Sequence, residues 1–337
     1  MLNLKMNLDT NIFNPEKLKW IPTRNGFGEG LVLAGEKNPN VVALTADLEE
    51  STRFLAFHKK FPERFIDVGV AEQNLMGVAA GMALNGKIPF IGSYATFSPG
   101  RNWDQLRVSV CYNNLPVKIA GAHAGLSVGP DGATHQALED IAITRVLPNI
   151  TVIVPCDYHE ARKAAMAAAE MPGPVYVRFA RPNTAVLTTE NTPFEVGKAT
   201  LLWDSGDDVA IVGAGPQLYE ALLAAKTLSE KKPAKGDKKL GVKVLNLHTI
   251  KPIDEKMLFA LGKKTGAFVV VEEHQIHGGV FGAVAETMAQ ICPIPIESVS
   301  VADTFGESGE HQELLEKYGL LAEDIIEAVG RVMKRKV

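Results

Sequence analysis

Glu72 stands where a short extended run over residues 65–70 gives way to a helix over 72–85, with Gly69 allowing a tight exit from the strand. That helix carries Leu75, Met76, Val78, Ala79, Ala80, Met82, Ala83 and Leu84, so it reads as apolar almost all round and therefore as buried. Glu72 is then the only carboxylate at the mouth of a buried strand-to-helix turn. Desolvation there favours the neutral acid, and α/β sheets hold their ligands at such turns. The plainer alternative is a helix-opening Glu that complements the dipole.

A second polar cluster fills residues 121–136, where four glycines (Gly121, Gly125, Gly129, Gly132) and Pro130 make a loop between a strand and a helix. His123, Asp131 and His135 stand in that loop. Turn chemistry accounts for Asp131-Gly132 as a tight turn and for Thr134 as a helix cap. It does not account for two histidines flanking the same loop, which reads as functional. Phosphate motifs are weaker. Gly213-Ala214-Gly215-Pro216 follows a strand but lacks the third glycine of a dinucleotide turn, and no Gly-Asp-Gly with a downstream Asn occurs to hold a metal on a diphosphate.

The elements that must position these groups alternate regularly. Helices are expected over 25–37, 52–60, 72–85, 103–112, 135–147 and 159–170, and strands over 41–45, 65–70, 89–94, 117–122, 151–155 and 175–179. Such a series folds as a doubly wound parallel sheet with helices on both faces. After a polar linker a shorter series follows, with strands over 209–212, 242–247, 268–271 and 296–301, helices over 217–228, 255–261 and 280–290, and two closing helices. The lysine-rich run 229–241 reads as a solvated loop.

The chain has 337 residues, enough for two ordinary domains. Its net charge of -4 gives no footprint for nucleic acid, and no apolar run is long enough to span a membrane. The N-terminus lacks the apolar core of a signal peptide, so a cytoplasmic protein is expected. Cys111, Cys156 and Cys292 are too far apart for a zinc or disulfide framework and read as core residues.

The run from His123 to Gln136, with Leu147-Pro148-Asn149 and Pro155 after it, resembles the substrate loop of transketolases. Residues 70–81 resemble the stretch that holds the cofactor glutamate of thiamine diphosphate enzymes, and Thr96-Phe97, Gly100-Arg101 and residues 103–107 resemble the segment that stacks on the aminopyrimidine. The resemblance implies two doubly wound α/β domains: an arm over 1–20, a pyrimidine-binding domain over 21–187, a linker over 188–194 and a smaller C-terminal domain over 195–337.

It also implies site roles. Glu72 would activate thiamine diphosphate, Phe97 would stack on its pyrimidine, and Arg101 and Asp47 would lie beside it. Arg24, Ser51, His123 and Arg181 would surround a sugar phosphate, Asp131 would hold a substrate hydroxyl, and His135 would act near the reacting carbon. No metal ligand is expected in this chain. A full-length transketolase has a further domain that holds the diphosphate and Mg2+ (or Ca2+), and nothing like it stands in this sequence. The chain therefore resembles the C-terminal subunit of a split transketolase, which transfers a two-carbon ketol unit with an N-terminal partner subunit, as a heterotetramer of two plus two. The competing expectations are a 2-oxoacid dehydrogenase β subunit, a 1-deoxyxylulose-5-phosphate synthase-like half and a non-catalytic scaffold. Asp131 to Gln136 argues against the first, and the presence of Glu72 and the loop's polar groups against the last.

Overall fold

A computed structural model describes residues 1–230 and 239–336. Most of the loop expected over 229–241 therefore lies outside the described residues. The first series runs β1 (Trp20–Pro22), α1 (Thr23–Lys37), β2 (Val41–Thr45), α2 (Leu55–Lys60), β3 (Phe65–Asp67), α3 (Glu72–Leu84) and β4 (Ile88–Tyr94). It continues with α4 (Trp103–Gln105, running on as π-helical turns over Leu106–Cys111), β5 (Lys118–Ala122), α5 (Asp140–Arg145), β6 (Thr151–Ile153), α6 (Tyr158–Glu170), β7 (Val175–Arg178) and β8 (Asn183–Ala185). The second series is β9 (Thr200–Asp204), β10 (Val209–Gly213), α7 (Leu218–Glu230), β11 (Val242–Asn246), β12 (Thr249–Lys251), α8 (Glu255–Thr265), β13 (Phe268–Gln275), α9 (Val280–Ile291), β14 (Ile296–Val301), α10 (His311–Lys317) and α11 (Ala322–Arg335).

Two α/β domains result. The first sheet has the order β12-β6-β7-β5-β4-β2-β3, and all its members except β12 are parallel. Val41–Thr45 and Lys118–Ala122 are buried at every position, as strands covered on both faces must be. The chain passes from β2 outward to β3 and then back to β4 on the other side of β2, so the sheet reverses direction between β2 and β4. That crevice, at the carboxyl ends of the strands, is where an open α/β sheet receives ligands. The helix α1 is pressed onto α6 through glycines: a Cβ on Gly26 would lie 1.9 Å from the Tyr158 carbonyl oxygen, and one on Gly30 2.4 Å from that of Arg162. This packing fixes the start of α1, and with it Arg24.

The second sheet, β14-β13-β10-β11-β9, is parallel except for its edge strand β9. Three short pairings escape the sequence pattern. β12 comes from the second series but adds to the edge of the first sheet, β9 turns antiparallel beside β11, and β1 pairs with β8 as a two-stranded ribbon. In the other direction, the N-terminal arm crosses to the second domain. Asn3 N–H donates to the Leu202 carbonyl at 2.8 Å, Ile12 and Leu18 are buried in the second domain's core, and Phe13 meets Trp203 edge-on at 5.7 Å.

Several boundaries move. The helix expected over 135–147 is α5 alone, because Ala137 is drawn into an isolated parallel bridge with Ala124; 3-10 turns over Leu126–Asp131 stand earlier in the loop, where Gly129 and Gly132 take positive φ. Thr134 does not cap a helix; its hydroxyl pairs with His135 Nδ1 at 2.8 Å. The α3 helix is not buried all round: Gly77, Gly81 and Leu84 form an exposed face, and only the face with Leu75, Met76, Ala79 and Ala83 enters the core. All three cysteines are buried and free. Among the described residues no helix is long and apolar enough to cross a membrane.

Candidate active site

Strand ends deliver the site residues. Glu72 opens α3 after a turn in which Gly69 has φ 71°. Its side chain is 1% exposed, and it does not cap its own helix. Instead Arg101 Nη1 donates to Oε2 at 2.7 Å, and Ser93 Oγ stands 3.4 Å from Oε1. Asn102 Nδ2 donates to the Glu72 carbonyl at 3.1 Å and so pins the first turn of α3. The expected lone carboxylate is thus half of an ion pair. The guanidinium of Arg101 also lies over the Phe97 ring, 4.8 Å from its centroid, which ties the two expected neighbours of Glu72 to each other.

Tyr94, at the end of β4, joins this group to the loop. Its ring stacks on His123 at 4.0 Å, lies parallel to Phe97 at 6.2 Å and meets His135 edge-on at 5.9 Å. Phe97 and His135 also meet edge-on, at 5.4 Å. Sequence reasoning missed Tyr94, although its place at a strand end, three residues before Phe97, was a usable signal.

His123 begins the loop with φ 55° and is 1% exposed. Burial, and then the charges of Arg24, Arg181, Arg53 and His135, push its pKa down to about 3, so the ring is neutral near pH 7. Arg24 Nη1 lies 3.4 Å from His123 Nε2 and donates to the Ser51 carbonyl at 3.1 Å. Because an arginine can only donate, Nε2 is the acceptor and the proton sits on Nδ1, which is buried without a partner. Burial, Arg53 and Arg181 also lower Arg24, to about 10. Arg181 donates to the Val128 carbonyl at 2.8 Å and lies 3.6 Å from Asp131. Three arginines therefore crowd one neutral histidine. Arg53 was missed; it sits at φ 67° in the turn before α2. Asp47 is exposed at the end of β2 with φ 59°, and its backbone N–H donates to Asp67 Oδ1 at 3.0 Å. Ser51 is brought to Arg24 through its carbonyl.

The loop is seated from behind by the second domain. The Ser127 N–H donates to the Glu273 carboxylate, and Arg178 Nη2 donates to the Glu273 carbonyl at 2.8 Å. Arg178 Nε pairs with Asp140 at 2.9 Å, and the Tyr176 hydroxyl donates to the same carboxylate at 2.7 Å. Arg178, Asp140 and Tyr176 were not singled out in the sequence, because a buried ion pair between β7 and α5 has no local signature. His274, the next residue after Glu273, is buried; desolvation lowers its pKa to about 4, and its Nδ1 pairs with the Gln275 carbonyl.

The arrangement offers a buried carboxylate with one loosely engaged oxygen beside a half-buried aromatic face, which fits a nitrogen heterocycle. At its other end it offers more cationic charge than its own carboxylates answer, which fits an anion. A thiamine pyrimidine suits the first end. Among the described residues no three His, Cys, Asp or Glu side chains gather as a metal cage.

The family "Transketolase, pyrimidine binding domain" matches residues 19–186, and "Transketolase, C-terminal domain" matches residues 197–325. The putative transketolase C-terminal section of Methanocaldococcus jannaschii is 44% identical over 93% of this chain and 96% of its own length. The 6-deoxy-6-sulfo-D-fructose transketolase subunit SqwH of a Clostridium species is 40% identical over 93% and 95%. Against the human transketolase the identity is 35%, and the match covers 92% of this chain but 48% of that protein. A solved split-gene transketolase, described as an inactive β4 tetramer, superposes with a TM-score of 0.85 at 45% identity, covering 94% of this chain and all of that one.

Proposed function

The chain belongs to the transketolase family as a split-transketolase-like subunit, and from that premise we propose that it transfers a two-carbon ketol unit from a ketose phosphate to an aldose phosphate together with a second subunit. The observation that carries this reading is the unbroken run of side chains from the Glu72–Arg101 pair through Phe97, Tyr94 and His123 to Arg24.

Thiamine diphosphate, when bound, supplies the nucleophilic carbon that breaks the ketose carbon–carbon bond. Glu72 holds a proton at a pyrimidine nitrogen, where a buried carboxyl group works best. Phe97 packs on the ring face, and Arg101 orients both. Asp47 lines the same end. At the other end Arg24, Arg181 and the Ser51 turn bind the sugar's phosphate. Neutral His123 accepts from Arg24 and leaves a donor, Nδ1–H, for the ligand. Asp131 and His135 hold substrate hydroxyls. The diphosphate and its Mg2+ fall to an N-terminal partner, in an assembly of two plus two.

The test is ketol transfer by the purified chain, alone and mixed with a partner carrying Gly-Asp-Gly and a downstream Asn. We expect no turnover alone and turnover in the mixture. Turnover by the chain alone overturns the split, and a reconstituted assembly with no ketol transfer overturns the reaction. The cations would take a sulfonate as readily as a phosphate, so the substrate named for the Clostridium relative belongs in the same assay.

A further inference from the structure

A cavity of about 360 Å³ opens beside the arginines, and its walls come from both domains: Arg24, Ser127, Val128 and Arg181 on one side, Glu310 and His311 on the other. The closeness of the two walls is written into glycines. A Cβ on Gly132 would lie 2.5 Å from Ser308 Oγ, and one on Gly306 would lie 1.9 Å from Gln136 Oε1, so the segment leading to α10 packs directly on the loop. Gln136 Nε2 donates across the same contact to the Glu307 carbonyl at 2.9 Å. The wall that bears His311 is therefore a fixed part of the cleft.

Arg24 from the first domain and His311 from the second both line this cavity, and each also has one buried nitrogen, Nε and Nδ1, without a hydrogen-bond partner. Buried polar atoms without a partner are few in native folds, and each calls for a reason. Glu310 is engaged along its own helix, where its carboxylate accepts from the Glu313 N–H and closes the capping box of α10. Among the described residues His311 forms no ion pair with a carboxylate, and its ring borders the cavity.

We infer that His311 of the C-terminal domain is a specificity-determining residue that contacts a terminal oxygen of the substrate's tetrahedral anion, opposite Arg24 and Arg181. This rests on the reading of the cleft as a sugar-phosphate site. A phosphate monoester presents three terminal oxygens, and the two arginines leave one face of it open toward α10. The imidazole supplies the remaining contact, so the C-terminal domain takes part in choosing the substrate as well as in seating the loop.

The purified chain titrated with inorganic phosphate tests this. Calorimetry should give a dissociation constant about tenfold weaker for His311→Ala, the scale of one hydrogen bond to a charged group, with His311→Gln recovering part of the loss. Nitrogen NMR of the wild-type chain should show the His311 imidazole shifting with phosphate, a readout that needs no variant to fold. Equal affinity in wild type and His311→Ala, no phosphate binding, or an unmoved imidazole overturns the proposal. In the reconstituted assembly His311→Ala should raise KM for the phosphorylated aldose roughly tenfold, with the loss falling on KM and not on kcat. If the wild-type assembly has no ketol transfer while phosphate still moves His311, the transferase reading fails and the anion site stands. If transfer is active and KM is unmoved in the variant, the site fails and the reaction stands.

Discussion

At one end of the cleft Glu72 is buried against a single counter-charge, Arg101, whose side chain is 49% exposed. At the other, Arg24, Arg53 and Arg181 gather round a neutral His123, and among the described residues Asp131, beside Arg181, is their one ion-pair partner. The first end is balanced in charge and built by neighbouring turns of one domain. The second carries surplus charge and needs elements of both domains to hold its loop. A balanced end can move a proton at little cost in reorganisation, whereas an end with surplus charge gains most when an anion arrives. The first should govern turnover and the second affinity.

Three measurements test that division. Glu72→Gln in the reconstituted assembly should lower kcat by about 10²- to 10⁴-fold, the range of a lost acid–base group, with an intact circular dichroism spectrum and little change in sugar KM. A change confined to KM would break the comparison. Next, Arg178→Met leaves Asp140 buried without its partner and should cost about 3–5 kcal/mol of stability in denaturant unfolding, as broken buried pairs do. A loss under about 1 kcal/mol would mean that the loop does not depend on what lies behind it.

The smallest effect concerns pH. The native pKa of His123 lies near 3, below its unfolded value near 6.5, so the unfolded chain binds the extra proton as pH falls. Its contribution is fully present above about pH 6.5 and is lost as pH drops toward 3. His248 and His274, both lowered to about 4 by burial, act in the same sense, while Glu160 and Glu272, raised to about 7 by burial, oppose them between about pH 4.5 and 7. A difference measurement isolates one group. His123→Asn, whose side chain tolerates a positive φ, should flatten the stability slope below pH 6.5 by about 1.4 kcal/mol per pH unit. An unchanged slope would remove His123 from the set of buried neutral histidines.

At the first end, period and turn residues put Glu72 at a strand-to-helix turn, and the structure has it opening α3; Phe97 and Arg101, singled out only through the resemblance, lie beside it. The parallel core was equally legible, because strands such as Val41–Thr45 are apolar in all but their last residue. The second end was legible in its residue types but not in its support. Arg178, Asp140 and Glu273 lie far apart in sequence and meet only in the folded chain, and Tyr94 read as one more strand residue. The exposed face of α3 was missed because Gly77 and Gly81 count as apolar in a pattern while presenting no side chain to a core. The pairings of β9 and β12 were missed because strands of three to five residues at a sheet edge carry almost no periodicity.

The exchange of segments between the domains bears on motion. β12 of the second series completes the first sheet, and the arm before the first series crosses into the second core. Rotating one domain against the other would have to peel a strand from a sheet at one crossing and strip Ile12 and Leu18 from a core at the other. A hinge at residues 188–194 is thereby denied, since hinge motion needs an interface that slides or parts without unzipping backbone pairs. The two walls of the cavity lined by Arg24 and His311 belong to domains tied at both crossings, so a rigid rotation of one wall against the other would have to break them.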